Sequence, residues 1–327
     1  MARRLLLDVL IALFSVWIGP VAAQAPLAGY PSKPIRFVVT FPPGGSSDLI
    51  ARAIAPRMSE RLGQQVLVDN RPGAGGNIGV DIVAKAAPDG YTIGLGAAGA
   101  LAVNASLYSK MPYDTVRDLA PVSLVAMIPF LLVAHPSVPA NSLSELVMLA
   151  KAKPGQLTLG HGGNGTAMHL SAELLRLMAG LNFVQVPYKG SGPAATDAVA
   201  GQLALAVVDV PSALAQVKAG RLKALGVTTA QRIFAAPEIA TFAESGVPGY
   251  ESTGWFGVVV PAGTPTEIVA RLNAEIVNAL KAPEIRERVL AAGAEPAPGT
   301  SEEFANLIKA EIPKWARVIK AAGVKVD

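Results

Sequence analysis

The stretch Phe41-Pro42-Pro43-Gly44-Gly45-Ser46-Ser47-Asp48 has the residue types of an anion site. An apolar run over 35–40 leads into it, and a helical pattern over 49–62 leads out. The first amides of a helix have no partner within it and point out of its N-terminus. The helix dipole adds partial positive charge there. Paired glycines let a ligand reach the backbone, because no Cβ stands in the way. Such a turn binds a carboxylate or phosphate without any Arg or Lys. The same residues also fit an ordinary strand-to-helix turn with Ser46 or Asp48 as the N-cap.

A second segment of the same design favours the ligand reading. Gly160-His161-Gly162-Gly163-Asn164-Gly165-Thr166-Ala167-Met168-His169 also follows a strand and opens a helix, with Thr166 placed as N-cap. Two helix starts facing each other across a cleft would clamp one small anion. A third segment, Pro187-Tyr188-Lys189-Gly190-Ser191-Gly192-Pro193, sets a proline near a helix's first turn, where proline is tolerated. Tyr188 and Lys189 are candidates to line the cleft, and a surface turn is the competing reading. Asp209 ends a strand just before Pro211, placed either to hold a water or ligand amine or to cap the next helix.

Other patterns are weaker. Gly94 to Gly99 match G-x-G-x-x-G, but in a dinucleotide site that motif follows the first strand of its unit. His161-Gly162-Gly163 resembles a hydrolase oxyanion loop, yet no G-x-S-x-G accompanies it. The histidines, 135, 161 and 169, have no zinc-ligand spacing, and there is no Cys. No catalytic residue, cofactor or metal centre is expected.

The elements that must position these residues follow from composition and periodicity. The chain has 327 residues, 51% hydrophobic and only 6% aromatic, so its core is aliphatic. The net charge of +4 is spread along the chain, without the concentrated basic stripe of a nucleic-acid binder. Arg3 and Arg4, an apolar run over 9–18, Gly19-Pro20 and small residues after them read as a secretory signal over 1–25. The apolar run is too short to span a bilayer. The mature protein is expected to be soluble and exported.

Beyond the signal, strands alternate with helices. Strands are expected over 35–40, 66–68, 91–95, 131–134, 158–160, 184–186, 203–208, 224–227 and 255–260. The main helices are expected over 49–62, kinked at Pro56, and over 78–87, 144–151, 168–178, 194–199, 212–219, 266–280 and 302–322. Ser142 and Glu145 form a capping-box pattern. Alternation of this kind predicts an α/β fold of mostly parallel sheets flanked by helices. So many strands fit two lobes better than one sheet, with crossings near 121–129 and 250–254. Lobe one is then 26–126 with 251–327, lobe two is 127–250, and the ligand cleft lies between them at strand carboxyl ends.

The chain resembles the extracytoplasmic solute receptors of tripartite tricarboxylate transporters, the Bug family. The residues that carry this are Tyr30-Pro31-Ser32-Lys33-Pro34-Ile35, the glycine segment from Phe41 to Asp48, and Asn70-Arg71-Pro72-Gly73-Ala74-Gly75-Gly76. Pro88-Asp89-Gly90-Tyr91-Thr92, the segment from Gly163 to Leu170, Tyr188-Lys189-Gly190, Gly254-Trp255-Phe256-Gly257 and Pro261-Ala262-Gly263-Thr264-Pro265 complete the match. The resemblance implies a type II periplasmic-binding-protein fold and a monomeric receptor. It implies capture of a small organic carboxylate, held by main-chain amides and water, and delivery to membrane permease subunits. The contact set it implies is Phe41, Pro43, Gly44, Gly45, Ser46, Asp48 and Asn77 on one side, with Ala98 facing the far end of the ligand. On the other side it is Gly163, Asn164, Gly165, Thr166 and His169, with Tyr188, Lys189 and Asp209. A ligand-sensing receptor for a signalling partner and an exported α/β hydrolase are the alternative functions.

Overall fold

A computed structural model describes residues 29–324. The expected export signal and its cleavage region lie outside the described residues. From Pro31 onward the chain forms one compact unit. β1 (Ile35–Val39) leads to α1 (Ser46–Leu62), β2 (Val66–Asn70), α2 (Asn77–Ala84) and β3 (Thr92–Ala97). Short helices α3 (Asn104–Leu107) and α4 (Thr115–Asp118) precede β4 (Leu119–Ile128), and Pro129 alone separates it from β5 (Phe130–Ala134). Next come α5 (Leu143–Ala152), β6 (Thr158–His161), α6 (Ala167–Ala179), β7 (Val184–Pro187) and α7 (Ser191–Val199). β8 (Leu205–Asp209), α8 (Val210–Lys218) and β9 (Lys223–Val227) continue the alternation. β10 (Gly254–Pro261), α9 (Thr266–Lys281), α10 (Pro283–Ala291), β11 (Glu295–Pro296) and α11 (Ser301–Ala322) complete it.

The strands form two sheets, ordered β11-β4-β10-β3-β1-β2 and β7-β6-β8-β5-β9. The chain is therefore a two-lobed α/β protein. Each sheet is mixed, not mostly parallel as the alternation predicts. β1 runs parallel to β2 and β3, and β6 parallel to β7 and β8. β10 is antiparallel to β3 and β4, and β5 to β8 and β9. The cause is the passage between sheets. β4 runs almost directly into β5, so these two strands are not joined to their neighbours by the β-α-β crossover that alternation detects.

Local chemistry sets the element ends. β1 carries three residues of zero exposure in its last three positions, Phe37, Val38 and Val39, as a central strand does. α1 buries Ile50, Ile54, Met58 and Leu62, spaced four apart, and packs on β2 and α9. It runs unbroken through Pro56 and stops at Gly63, whose left-handed backbone (φ 68°) closes the helix. Ser142 caps α5 by accepting from the Glu145 amide at 3.2 Å. The Glu145 side chain reaches back to the Asn141 amide at 2.7 Å, one residue short of a full capping box. Among the described residues, no helix is long and apolar enough to cross a membrane.

Candidate functional site

β1 delivers the chain to the first glycine turn. Gly44 takes a positive φ of 88°, open to glycine at no steric cost. Gly45 is the N-cap of α1 and offers no side-chain cap. The first intrahelical bond is Leu49 N–H to the Gly45 carbonyl, 3.0 Å. The amides of Ser46, Ser47 and Asp48 precede that bond and lie at the positive end of the helix. Ser46 and Asp48 are thus inside the first turn, not N-caps. The Asp48 carboxylate instead fastens the loop, accepting from Gly44 N–H (3.0 Å), Arg52 Nε (2.9 Å) and Asn70 Nδ2 (3.0 Å). Partial burial pushes its pKa up, and these bonds outweigh that and hold it below the usual carboxylate value.

A cavity of about 210 Å³ opens beside this turn, between the two sheets. The first-sheet side contributes residues 41–47, Ala97, Ala98, Ile128, Trp255 and Phe256. The second-sheet side contributes Phe130, Ala167, Met168, residues 189–193 and Asp209. Helix starts therefore converge on it from both sheets: α1 through Ser46 and Ser47, α6 through Ala167 and Met168, α7 through Ser191 and Gly192. α7 begins at Ser191, three residues before the start predicted for it, and its Gly190 N-cap also leaves its first amides uncapped by any side chain.

Asp209 joins the two sides. It ends β8 and stands as N-cap of α8. One oxygen accepts from Ser46 Oγ across the cavity at 2.7 Å, and the other from Ser212 Oγ at 2.5 Å. Its amide donates to Ser191 Oγ at 3.1 Å, and that hydroxyl donates to the Met168 sulfur at 3.0 Å.

The second glycine loop does something different from what its sequence suggests. Thr166 is the N-cap of α6, accepting from the His169 amide at 3.3 Å and donating to the Gly163 carbonyl at 2.7 Å. Gly163, Asn164 and Gly165 do not line the cavity; Gly163 packs against the Tyr188 carbonyl, and Asn164 and Gly165 press onto the first-sheet side. A Cβ on Gly99 would stand 2.4 Å from the Gly165 carbonyl oxygen, and one on Gly75 2.7 Å from that of Asn164. Tyr108 Oη lies 3.5 Å from the Asn164 oxygen. Asn77 serves the same junction: its oxygen accepts from Asn104 Nδ2 (2.6 Å) and Tyr113 Oη (3.0 Å). The missing side chains admit backbone to backbone, where the sequence reading expected backbone to ligand. The G-x-G-x-x-G stretch is likewise a packing device, since Cβ atoms at Gly94 and Gly96 would fall 2.6 Å from Val83 and Leu101.

Of the expected contact set, Phe41, Pro43, Gly44, Gly45, Ser46, Ala98, Lys189 and Asp209 line the cavity. Asp48, Asn77, Gly163, Asn164, Gly165, Thr166, His169 and Tyr188 do not. Tyr188 donates to Asp197 at 2.6 Å, and burial together with that carboxylate pushes its pKa up to about 12. Sequence reasoning missed Ser47, Met168 and Ser191, which sit one or two residues from residues it named. It also missed the walls Ile128, Phe130, Trp255 and Phe256, whose apolar types carry no ligand signal of their own.

His169 and His161 stack beneath the second loop, ring centroids 4.6 Å apart. Gly163 N–H donates to His161 Nδ1 and Gly165 N–H to His169 Nδ1, both at 3.3 Å. With Nδ1 accepting, each neutral ring carries its proton on Nε2. Burial, joined for His161 by its neighbour, lowers the two pKa values to about 3 and about 4. Both values lie below the ordinary 6.5, so on acidification the unfolded chain takes up protons before the folded one does. The stabilisation is fully present above the ordinary value and is lost as pH falls toward 4. The slope is at most about 1.4 kcal/mol per pH unit for each ring. Thermal melting from pH 7 to 4.5 is expected to show this fall, shallower in His161→Gln. Identical profiles for the two proteins would refute the assignment.

Two lobes with a cavity between them, and helix starts from both turned toward it, define a solute-binding receptor. Residues 50–324 match the tripartite tricarboxylate transporter family receptor model, and the chain belongs to that family. Protein BugT of Bordetella pertussis is 39% identical over 320 residues, covering 97% of this chain and 98% of that one. A solved structure of R. palustris Rpa4515 with adipate is 39% identical, with TM-score 0.87 over 90% of this chain and 99% of that one. MatC (Rpa3494) from Rhodopseudomonas palustris with bound malate is 32% identical, with TM-score 0.83 over 89% and 100%.

Proposed function

We propose that this chain is an exported periplasmic receptor that closes on a small organic carboxylate and presents it to the permease subunits of a tripartite transporter. It acts as a monomer and does no chemistry on its ligand. The observation that carries the reading is the convergence of the α1 and α7 starts on one cavity between the sheets. Uncapped amides from both sides suit one anionic group. The cavity lining contains no histidine that would serve as a general base. The relatives solved with adipate and malate support a carboxylate ligand. The lobes are residues 26–126 with 251–327, and 127–250, after a signal over 1–25; the sheet memberships support that division except at Met127 and Ile128, which end β4 in the first sheet.

The ligand contacts proposed here are the amides of the α1 and α7 first turns, Ser46, Lys189 and Asp209, with Phe41, Pro43 and Ala98 as walls. A ligand that binds only the folded state stabilises it, by about 2.7 kcal/mol at a hundredfold excess over Kd. Protein freed of co-purified small molecules is expected to melt several degrees higher with at least one member of a broad carboxylate panel. No shift with any member would overturn the proposal.

A further inference from the structure

We infer that the ligand is a carboxylate on an apolar body, an alkyl chain or an aromatic ring, and that Asp209 excludes short, multiply charged acids. The inference rests on the carboxylate reading above and narrows it. Beyond the helix starts, the cavity walls are Phe41, Ile128, Phe130, Met168, Trp255 and Phe256. The polar side-chain atom these walls contain is the Trp255 Nε1, itself buried, so a ligand hydroxyl turned toward them would leave water for little in return, and an unpaired buried polar group is costly.

Two of the three serine hydroxyls in the lining are already engaged, Ser47 at the α1 start being the third. Ser46 Oγ gives its proton to Asp209, and Ser191 Oγ gives its own to Met168 while accepting the Asp209 amide. Little side-chain capacity is left to read a hydroxylated chain. An apolar body loses nothing against these walls and gains by leaving water.

Charge points the same way. The charged side chains at the cavity are Lys189, which is exposed, and Asp209, which is 5% exposed. Asp48 lies behind the loop, paired with Arg52. Both Asp209 oxygens accept hydroxyl protons, as an ionised carboxylate's do. One ligand carboxylate can sit on the helix starts. A second or third, in a cavity this small, would lie near the fixed charge of Asp209, and like charges disfavour each other.

The test is calorimetric titration of the ligand-free protein with benzoate, hexanoate, malate and citrate. Benzoate or hexanoate is expected to bind about tenfold or more tighter than malate and citrate. Asp209→Asn is expected to narrow that ratio at least threefold by admitting the polyanions. Malate or citrate binding as tightly as the apolar acids would overturn the inference and leave the carboxylate receptor standing. The expected ranking with an unchanged ratio in Asp209→Asn would remove Asp209 as the discriminating residue. Should that variant not fold, the wild-type ranking alone decides the ligand class. No binding by any carboxylate would overturn the proposed function itself.

Discussion

Gly99→Ala is expected to weaken ligand binding about 10- to 100-fold, the equivalent of about 1–3 kcal/mol of overpacking. Gly99 lies on the first-sheet side, between β3 and α3, and its φ is not positive, so alanine fits its backbone. The methyl group would meet the Gly165 carbonyl oxygen at 2.4 Å and the Thr166 Cα at 3.2 Å. Both obstacles are main chain, which cannot swing aside as a side chain does. In the proposed closure the lobes part for ligand entry, and Gly99 meets Gly165 when they come together. The substitution therefore penalises the closed arrangement and leaves the open one intact, so the penalty appears in affinity. Titration calorimetry reads the loss, and melting of the ligand-free protein should move far less than binding does. Unchanged affinity would show that this contact is not part of closure.

Trp315→Ala is expected to remove about 3–5 kcal/mol of folding stability. Trp315 is 1% exposed and lies where α11 packs against both sheets' helices. Its cluster joins Val103 and Leu107 from the first-sheet side to Leu170 of α6, with Ile319 one turn further along α11. Its Nε1 donates to Glu311 Oε2 at 2.6 Å, so truncation also strips a partner from a nearly buried carboxylate. A domain's whole stability is about 5–15 kcal/mol, so the loss should be plain in guanidinium unfolding. Trp315→Phe keeps the ring's contacts and should recover part of it. A loss below about 1 kcal/mol would mean that the α11 junction is not the structural tie described here.

Where the sequence was readable, the physics was local. The strand and helix around the first glycine turn are legible because β-branched residues, paired glycines and helical spacing stand side by side. Their junction was misplaced by three residues because Ser46, Ser47 and Asp48 are cap-forming types, whereas the backbone makes Gly45 the cap. β4 was missed because Pro121 reads as a break. Pro121 pairs with Val259, where the register with β10 shifts, and an irregular site tolerates a residue with no amide proton. The second glycine loop shows a deeper limit. Small residues let something approach the backbone, and nothing in Gly163-Asn164-Gly165 says whether that is a ligand or the chain near Gly75 and Gly99. Ser46 and Asp209 are 163 positions apart, so their bond across the cavity leaves no local signal at all.

The most direct test is a crystal structure of the complex with the tightest-binding carboxylate of the panel. The account predicts ligand carboxylate oxygens about 3 Å from first-turn amides of α1, with α7 closing from the other side and the ligand body against Phe130 and Phe256. A carboxylate bound instead to Lys189 Nζ alone, with the α1 amides turned to water, would contradict it.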